Sequence, residues 1–113
     1  MNTSEYLEQL RSGVKMDFSD FTNLIDQEYE FLNVAFTNSG LVNSKEENQG
    51  TAKVFCFGLI HSLSESDTLR CFGEHYQSVI EDSNGTSHQN IRNFMKTGFD
   101  GLAFESEVLS SKG

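Results

Sequence analysis

The stretch that decides the fold class is "NVAFTNSGLVNS", residues 33–44, which lies between segments with helical periodicity. Aromatic and β-branched residues alternate there with polar ones around an Asn-Ser-Gly turn, a pattern typical of a short strand or a small hairpin. It predicts a strand near 34–37 and, if the turn closes a hairpin, a second strand at 41–43. "GLAFE" near the C-terminus alternates in the same way. We therefore expect a further strand over 102–105, paired antiparallel with the one near Phe36.

Most of the remaining chain has the periodicity of amphipathic helices. The chain contains no proline, so Gly, Asn, Ser and Asp must mark the ends of the helices. We predict five helices: one capped by Thr3 or Ser4 and closed by Gly13, one over about 19–31 capped by Asp17 or Ser19, one over 52–63 capped by Thr51, one from Ser64 to Asn84-Gly85, and one from Ser87 to Gly98. The apolar run "VFCFGLI" also fits a buried strand, but apolar positions continue to Leu63 and favour a helix.

The core of this 113-residue chain is expected to be aromatic, because the sequence holds ten Phe and three Tyr but no Trp. Each buried ring removes a large apolar area from water, which a chain of this size needs. Length and pattern together predict a single α+β, mainly α domain over residues 1–109. The last residues, 110–113, are predicted to form a disordered tail.

The net charge of −9 restricts the classes of partner. An acidic surface repels phosphate backbones and anionic lipids, so we expect binding to neither nucleic acid nor membranes. The two cysteines, Cys56 and Cys71, lie within apolar segments and behave as small hydrophobic residues. No secretory signal opens the chain, and a cytoplasmic, reducing location is expected.

A hypothetical metal site would use four ligands: Cys56, His61, Cys71 and His75. Neither cysteine belongs to a close Cys-x-x-Cys pair, however, and buried thiols beside ordinary helix histidines are the more common arrangement. A Cys71 nucleophile with His75 as its base lacks an orienting third group. The many carboxylates lie on the polar faces of helices, and phosphate-loop and hydrolase motifs are missing. We therefore predict no catalytic residue, no metal and no cofactor.

The remaining candidate is "SNGTSHQNIRNFMKTGFDG", residues 83–101. A glycine turn followed by capping hydroxyls exposes backbone N–H groups at a helix start, which is a general anion site. His88, Arg92 and Lys96 recur every four residues and would form one basic edge on an acidic protein. The candidate binding residues are Gly85, Thr86, His88, Gln89, Asn90, Arg92, Asn93 and Lys96.

A structural explanation of the same residues competes with the binding hypothesis. In that explanation Arg92 pairs with a carboxylate of a neighbouring helix, while His88, Gln89 and Asn90 hydrogen-bond the turn and the loop 43–50. Polar groups near helix ends usually have such capping roles, so the sequence favours this explanation.

Two stretches resemble the HopJ type III effector family: 36–76, and 84–105 with its most specific part "GTSHQNIRNFM". The resemblance places ten residues on family positions: Gly85, His88, Gln89, Asn90, Ile91, Arg92, Phe94, Gly98, Gly101 and Phe104. It implies a bacterial protein without an established enzymatic activity. The family name implies injection into host cells, whereas the helical, core-forming segment 4–11 argues against an export signal here.

The sequence therefore predicts a small cytoplasmic binding module that recognises a protein partner or a small anionic ligand through residues 85–96. One alternative is an enzyme in which His88 is the acid or base and Asn90 and Arg92 position the substrate. The other alternative is an effector that is translocated into host cells.

Overall fold

A computed structural model of the chain describes residues 1–112, which form six α-helices and two small antiparallel sheets. The helices are α1 (Thr3–Arg11), α2 (Phe18–Glu28), α3 (Gln49–Ile60), α4 (Glu65–Arg70), α5 (Glu74–Glu81) and α6 (Gln89–Thr97). The strands are β1 (Tyr29–Phe31), β2 (Phe36–Asn38), β3 (Leu41–Asn43), β4 (Leu102–Phe104) and β5 (Leu109–Ser111), and a 3-10 turn spans Gly98–Gly101. The predicted α+β, mainly helical class is confirmed.

The predicted hairpin and its C-terminal partner form a three-stranded sheet in the order β3-β2-β4. Ser39 and Gly40 both have positive φ, 52° and 87°, which matches the two-residue turns that follow the twist of a hairpin. Phe36 pairs with Phe104 across β2 and β4, and their rings stack at 5.3 Å. The predicted strands near 34–37, at 41–43 and over 102–105 are confirmed within one or two residues.

The second sheet, β1 paired with β5, corrects two predictions. The helix predicted over 19–31 ends at Glu28, because Tyr29 continues as a strand that buries its side chain in the core. The predicted disordered tail is wrong for 110–111, which lie in β5, and Lys112 donates from its backbone N to Glu28 O at 3.0 Å. Leu109 anchors β5 with 1% of its surface exposed. Gly113 lies outside the described residues.

The helix predicted to start at Ser64 is divided into α4 and α5 by a turn at Gly73. Ser64 caps α4 as predicted, its hydroxyl accepting from the backbone of Asp67 at 3.0 Å. Gly73 has φ 57° and ψ −125°, a conformation that favours glycine, and the start of α2 passes against it. Glu74 then accepts from the backbone N of Phe18 at 2.7 Å, so α2 and α5 begin side by side.

Three of the predicted helix caps are wrong. Asn2, not Thr3 or Ser4, caps α1, and its side chain accepts a backbone hydrogen bond from the first turn. Helix α3 begins after Asn48 rather than Thr51, and α6 begins after His88 rather than Ser87. The predicted cap of α2 is confirmed, since Asp17 occupies its N-cap position.

The core is built around α3, which confirms helix rather than strand for 52–60; the helix ends at Ile60 and not at Leu63 as predicted. Phe55 and Phe57 are both fully buried. The Phe55 ring contacts those of Phe36, Phe72 and Phe94, while the Phe57 ring contacts those of Tyr6, Phe21 and Tyr29. None of the helices in residues 1–112 has the length and apolar character that a membrane crossing requires.

Candidate functional site

A cleft of about 530 Å³ lies where several helices begin beside the β2–β3 hairpin. We call it the α6 cleft. Its lining residues come from the starts of α2, α3, α5 and α6 and from the hairpin with its following loop: Phe18, Leu41, Val42, Asn43, Glu47, Asn48, Gly50, Thr51, Phe72, His75, His88, Gln89, Asn90 and Ile91.

The first turns of α3 and α6 form part of the cleft wall. Their N-cap residues, Asn48 and His88, both have left-handed backbones, with φ of 52° and 51°, and neither side chain caps its helix. Non-glycine residues adopt this conformation only when surrounding structure holds them in it. The N-termini of helices favour negative charge, so this part of the wall favours an anionic group.

The cleft is also lined by a pair of imidazoles, one from α5 and one at the start of α6. The ring centres of His75 and His88 lie 5.2 Å apart with the planes tilted by 44°. His75 is half-buried and meets the Phe18 ring edge-on at 5.0 Å, whereas His88 is exposed. Partial burial, followed by the charges of His75 and Arg92, lowers the pKa of His88 below its ordinary value. The neutral form of His88 is therefore favoured more than that of an ordinary histidine.

The titration of His88 gives a direct check on this pair. We expect its imidazole to titrate below the usual value of about 6.5 and its pKa to rise in His75→Gln, because one source of repulsion is removed. Two-dimensional NMR of the imidazole resonances measures both values. His61→Gln is the control, since His61 bonds Tyr29 outside the cleft and its loss should leave the His88 pKa unchanged. A His88 pKa at or above 6.5 in the unaltered protein contradicts the expectation.

The lowered pKa of His88 also affects the stability of the fold at low pH. His61 also has a lowered pKa, caused by burial and then by Arg11. For both residues the unfolded chain takes up a proton more readily than the folded protein. Their contribution to the free energy of unfolding is therefore unchanged above about pH 6.5 and falls as the pH drops below that value.

Beneath the cleft lies a buried network of asparagine amides. Asn90 donates to Asn43 Oδ1 at 2.9 Å and accepts at its own Oδ1 from Asn38 and Asn43, at 3.1 and 3.3 Å. Asn38 also donates to the backbone oxygen of Asn90 at 2.8 Å. All three residues are at most 6% exposed. The network joins the hairpin to α6 and fixes the position of the cleft wall, because buried amides must keep their partners.

The predicted basic edge of His88, Arg92 and Lys96 does not form. His88 precedes the helix, and Arg92 is only 8% exposed. The Arg92 guanidinium donates to the backbone oxygens of Ser87 and Ser83 at 2.5 and 3.3 Å, so it holds the loop that leads into α6. The carboxylate partner expected for Arg92 is replaced by these carbonyls.

Arg92→Ala is expected to lower the free energy of unfolding by about 2–3 kcal/mol, because two charge-assisted hydrogen bonds to the 83–87 loop are lost. Urea denaturation followed by circular dichroism measures the change. Lys96→Ala is the matched control on the same helix. Lys96 is exposed and makes no hydrogen bond or ion pair within residues 1–112, so its removal should change stability by less than about 0.5 kcal/mol. Equal effects of the two substitutions would contradict the role of Arg92.

The α6 cleft brings together only part of the residues predicted from the sequence. His88, Gln89 and Asn90 line it, whereas Gly85, Thr86, Arg92, Asn93 and Lys96 do not. Gln89 donates to Asn93 Oδ1 at 2.8 Å, and Asn93 donates to Asn38 O at 3.0 Å. The structural explanation therefore accounts for Arg92, Asn90 and Asn93, and the binding hypothesis retains His88 and Gln89.

Sequence reasoning missed His75, Phe18, Phe72 and Asn48 as members of the site. His75 reads as an ordinary helix histidine when 64–83 is taken as one continuous helix. The signal that could have found it is the glycine in "CFGEH", because a break at Gly73 turns His75 into a residue of a new first turn. Nothing in the sequence indicates that α5 begins beside α2.

The structure does not bring together the four residues considered as a metal site, which are Cys56, His61, Cys71 and His75. His61 Nε2 lies 2.6 Å from the Tyr29 hydroxyl, and Cys71 Sγ bonds the backbone oxygen of Asp67. Burial raises the pKa of both thiols to about 12, which leaves them protonated. Within residues 1–112 no three His, Cys, Asp or Glu side chains are grouped to hold a metal.

Comparison with known proteins identifies a family. The family model described as HopJ type III effector protein matches residues 3–109. Among solved structures, the crystal structure of VPA0580, a protein of unknown function, is similar with 39% sequence identity and a TM-score of 0.95. The similarity covers 99% of this chain and 95% of that one. No curated protein matches the chain.

Proposed function

The chain belongs to the HopJ type III effector protein family, and from that premise we propose that it is a binding protein whose ligand occupies the α6 cleft. The observation that carries the proposal is the cleft itself. A concave site of about 530 Å³ with a few convergent polar groups is the usual form of a small-ligand site. This proposal moves the binding site from the outer face of α6 to its first turn.

The polar residues that line the cleft favour an anionic group. Two helix N-termini and the His75–His88 pair are among the lining elements, and among the described lining residues only Glu47 is acidic. Glu47 also accepts a hydrogen bond from the backbone N–H of Ser44 at 3.1 Å, and this bond partly compensates the negative charge of the carboxylate. On a chain with a net charge of −9, this makes the cleft a locally favourable place for a carboxylate or phosphate.

The apolar residues that line the cleft favour a ring or hydrocarbon group. The rings of Phe18 and Phe72 lie nearly parallel, with centres 6.4 Å apart and planes 12° apart. Leu41, Val42 and Ile91 line the same cleft, and the Val42 side chain is 73% exposed. A ligand that covers this surface removes apolar area from water, which provides affinity in addition to the anionic contact. The proposed ligand class is therefore a small aryl or alkyl carboxylate or phosphate.

Three probes separate these contributions in one NMR titration. Phenyl phosphate carries both groups, inorganic phosphate carries the anion alone, and phenol carries the ring alone. We expect phenyl phosphate to shift the amides of Asn48, His88, Gln89 and Ile91 and to bind more tightly than either partial probe. Equal, weak binding of all three, or shifts confined to residues outside the cleft, would overturn the proposal.

A substitution at His88 tests whether its imidazole contributes to anion binding in the cleft. His88→Asn removes the imidazole but keeps a residue that tolerates the left-handed backbone, so the start of α6 is preserved. It should weaken phenyl phosphate binding, whereas Lys96→Ala on the outer face of α6 should not. Affinity for benzoate, which stays anionic over this range, should rise as the pH falls from 7 to 5.5, because a protonated imidazole attracts the anion. Unchanged affinity in His88→Asn would show that the imidazole does not contact the ligand.

Family membership supports a second candidate function, translocation into a host cell. Helix α1 is folded into the domain, since Tyr6 and Leu10 are buried in the core. A reporter enzyme fused to the C-terminus of this chain tests the candidate in a bacterium with an active type III apparatus. Reporter activity that stays inside that bacterium argues against translocation.

The enzyme alternative loses most of its assigned residues. Asn90 is held in the buried amide network and Arg92 is bonded to its own loop, so neither is available to position a substrate. His88 retains a neighbouring imidazole, His75, as its remaining chemical partner.

A further inference from the structure

We propose that His75 and His88 form a binding site for a divalent transition-metal ion of the zinc, nickel or copper type. This inference goes beyond the binding of an organic anion, because a metal held by two imidazoles and water needs no such ligand. Imidazole nitrogen suits these ions, whereas magnesium and calcium prefer oxygen ligands.

The separation of the two rings fits a shared metal. An imidazole nitrogen holds zinc at about 2.0–2.1 Å, which places two ring centres about 5 Å apart when the angle between the bonds is near tetrahedral. The observed distance between the ring centres of His75 and His88 is 5.2 Å. The planes of the two rings are tilted by 44°, so the rings are not stacked face to face.

The ring nitrogens of this pair are also available. Neither the His75 nor the His88 side chain makes a hydrogen bond within the described residues 1–112, whereas His61 Nε2 is occupied by the Tyr29 hydroxyl at 2.6 Å. A metal ligand must be the neutral imidazole.

The positions of the two histidines make the pair persistent. His75 lies in the first turn of α5, whose start is held by the contact between Gly73 and the backbone at 16–18. His88 is fixed by its left-handed backbone and by the adjacent Asn90 network. The pair therefore joins two elements that are each fixed independently. Both residues line the cleft, so the remaining coordination positions are left to water. Two protein ligands predict a moderate affinity rather than that of a closed structural zinc site.

Calorimetric titration of tag-free protein with zinc chloride at pH 7.5 tests the proposal. We expect one zinc per chain, and affinity reduced at least tenfold in both His75→Gln and His88→Asn. His61→Gln is the matched control, which removes a histidine whose nitrogen is already bonded, and it should bind zinc as the unaltered protein does. Magnesium chloride should give no binding heat. Unaltered zinc affinity in either cleft variant, or an equal loss in His61→Gln, would overturn the site.

A second measurement covers the case in which a variant fails to fold. In the unaltered protein, zinc should shift the imidazole 15N resonances of His75 and His88 together and leave those of His61 in place. Shifts of His61 alone, or of none of the three, would overturn the proposal.

The pH dependence separates this inference from the proposed anion site. Zinc affinity should fall between pH 7.5 and 6 because protons compete with the ion for imidazole nitrogen, whereas the affinity for benzoate measured in EDTA should rise over the same range. Phenyl phosphate binding without zinc binding removes the metal site and leaves the proposed function. Zinc binding without phenyl phosphate binding removes the proposed function and leaves the metal site.

Discussion

Replacing Gly73 with alanine is expected to lower the free energy of unfolding by about 3 kcal/mol or more, because a side chain there meets backbone atoms that have no freedom to move. A Cβ atom at Gly73 would lie 2.5 Å from the Phe18 nitrogen and 2.8 Å from the Asp17 carbonyl carbon. The residue also has φ 57° and ψ −125°, which is unfavourable for any other amino acid. Steric overlap and backbone strain therefore both lower the stability of the Gly73→Ala variant.

Gly40→Ala is the matched control for this substitution. Gly40 also has a positive φ, 87°, but a Cβ there meets nothing within 4 Å. We expect only the strain of the left-handed backbone, about 1–2 kcal/mol. Urea unfolding of both variants separates overlap from strain, and equal losses would contradict the close contact at Gly73. Because Gly73 sets α5 against α2, its alanine variant should also disturb the NMR shifts of Phe18 and His75.

Phe55→Ala is expected to lower the free energy of unfolding by about 3–5 kcal/mol, through lost burial and the cavity left behind. The Phe55 side chain is fully buried and its ring lies 4.8 Å from that of Phe94 and 5.6 Å from that of Phe72. These contacts connect α6 and the floor of the cleft to α3. The variant should therefore lose stability and also order at the cleft.

Phe55→Leu is the control that keeps most of the volume at this position, and we expect it to lose much less stability than the alanine variant. Thermal and urea unfolding give both values. A loss below about 1.5 kcal/mol for Phe55→Ala would show that the core collapses into the space and that Phe55 does not support the cleft.

The α6 cleft contains only part of the stretch that the sequence singles out as a candidate site. The polar stretch 85–96 contributes His88, Gln89 and Asn90 to the α6 cleft, and the sequence located this junction through its glycine turn and helix periodicity. The burial of Arg92 could not be predicted, because its partners are backbone oxygens of a loop rather than a side chain of opposite charge. The cleft is also lined by Phe18 and His75, which come from distant parts of the chain that only the folded structure brings together.

The sequence by itself determined the α+β class, the hairpin at 36–43 and the helical state of α3, because alternation, turn residues and the length of apolar runs act locally. The tertiary structure decided where α2 ends, that α4 and α5 are separate helices, and that 109–111 is a strand. In each case a long-range contact outweighs local preference: Tyr29 and Leu109 enter one core, and Gly73 lies against the start of α2. The His75–His88 pair is a product of the same contacts, since it forms only after α5 and α6 meet at the cleft.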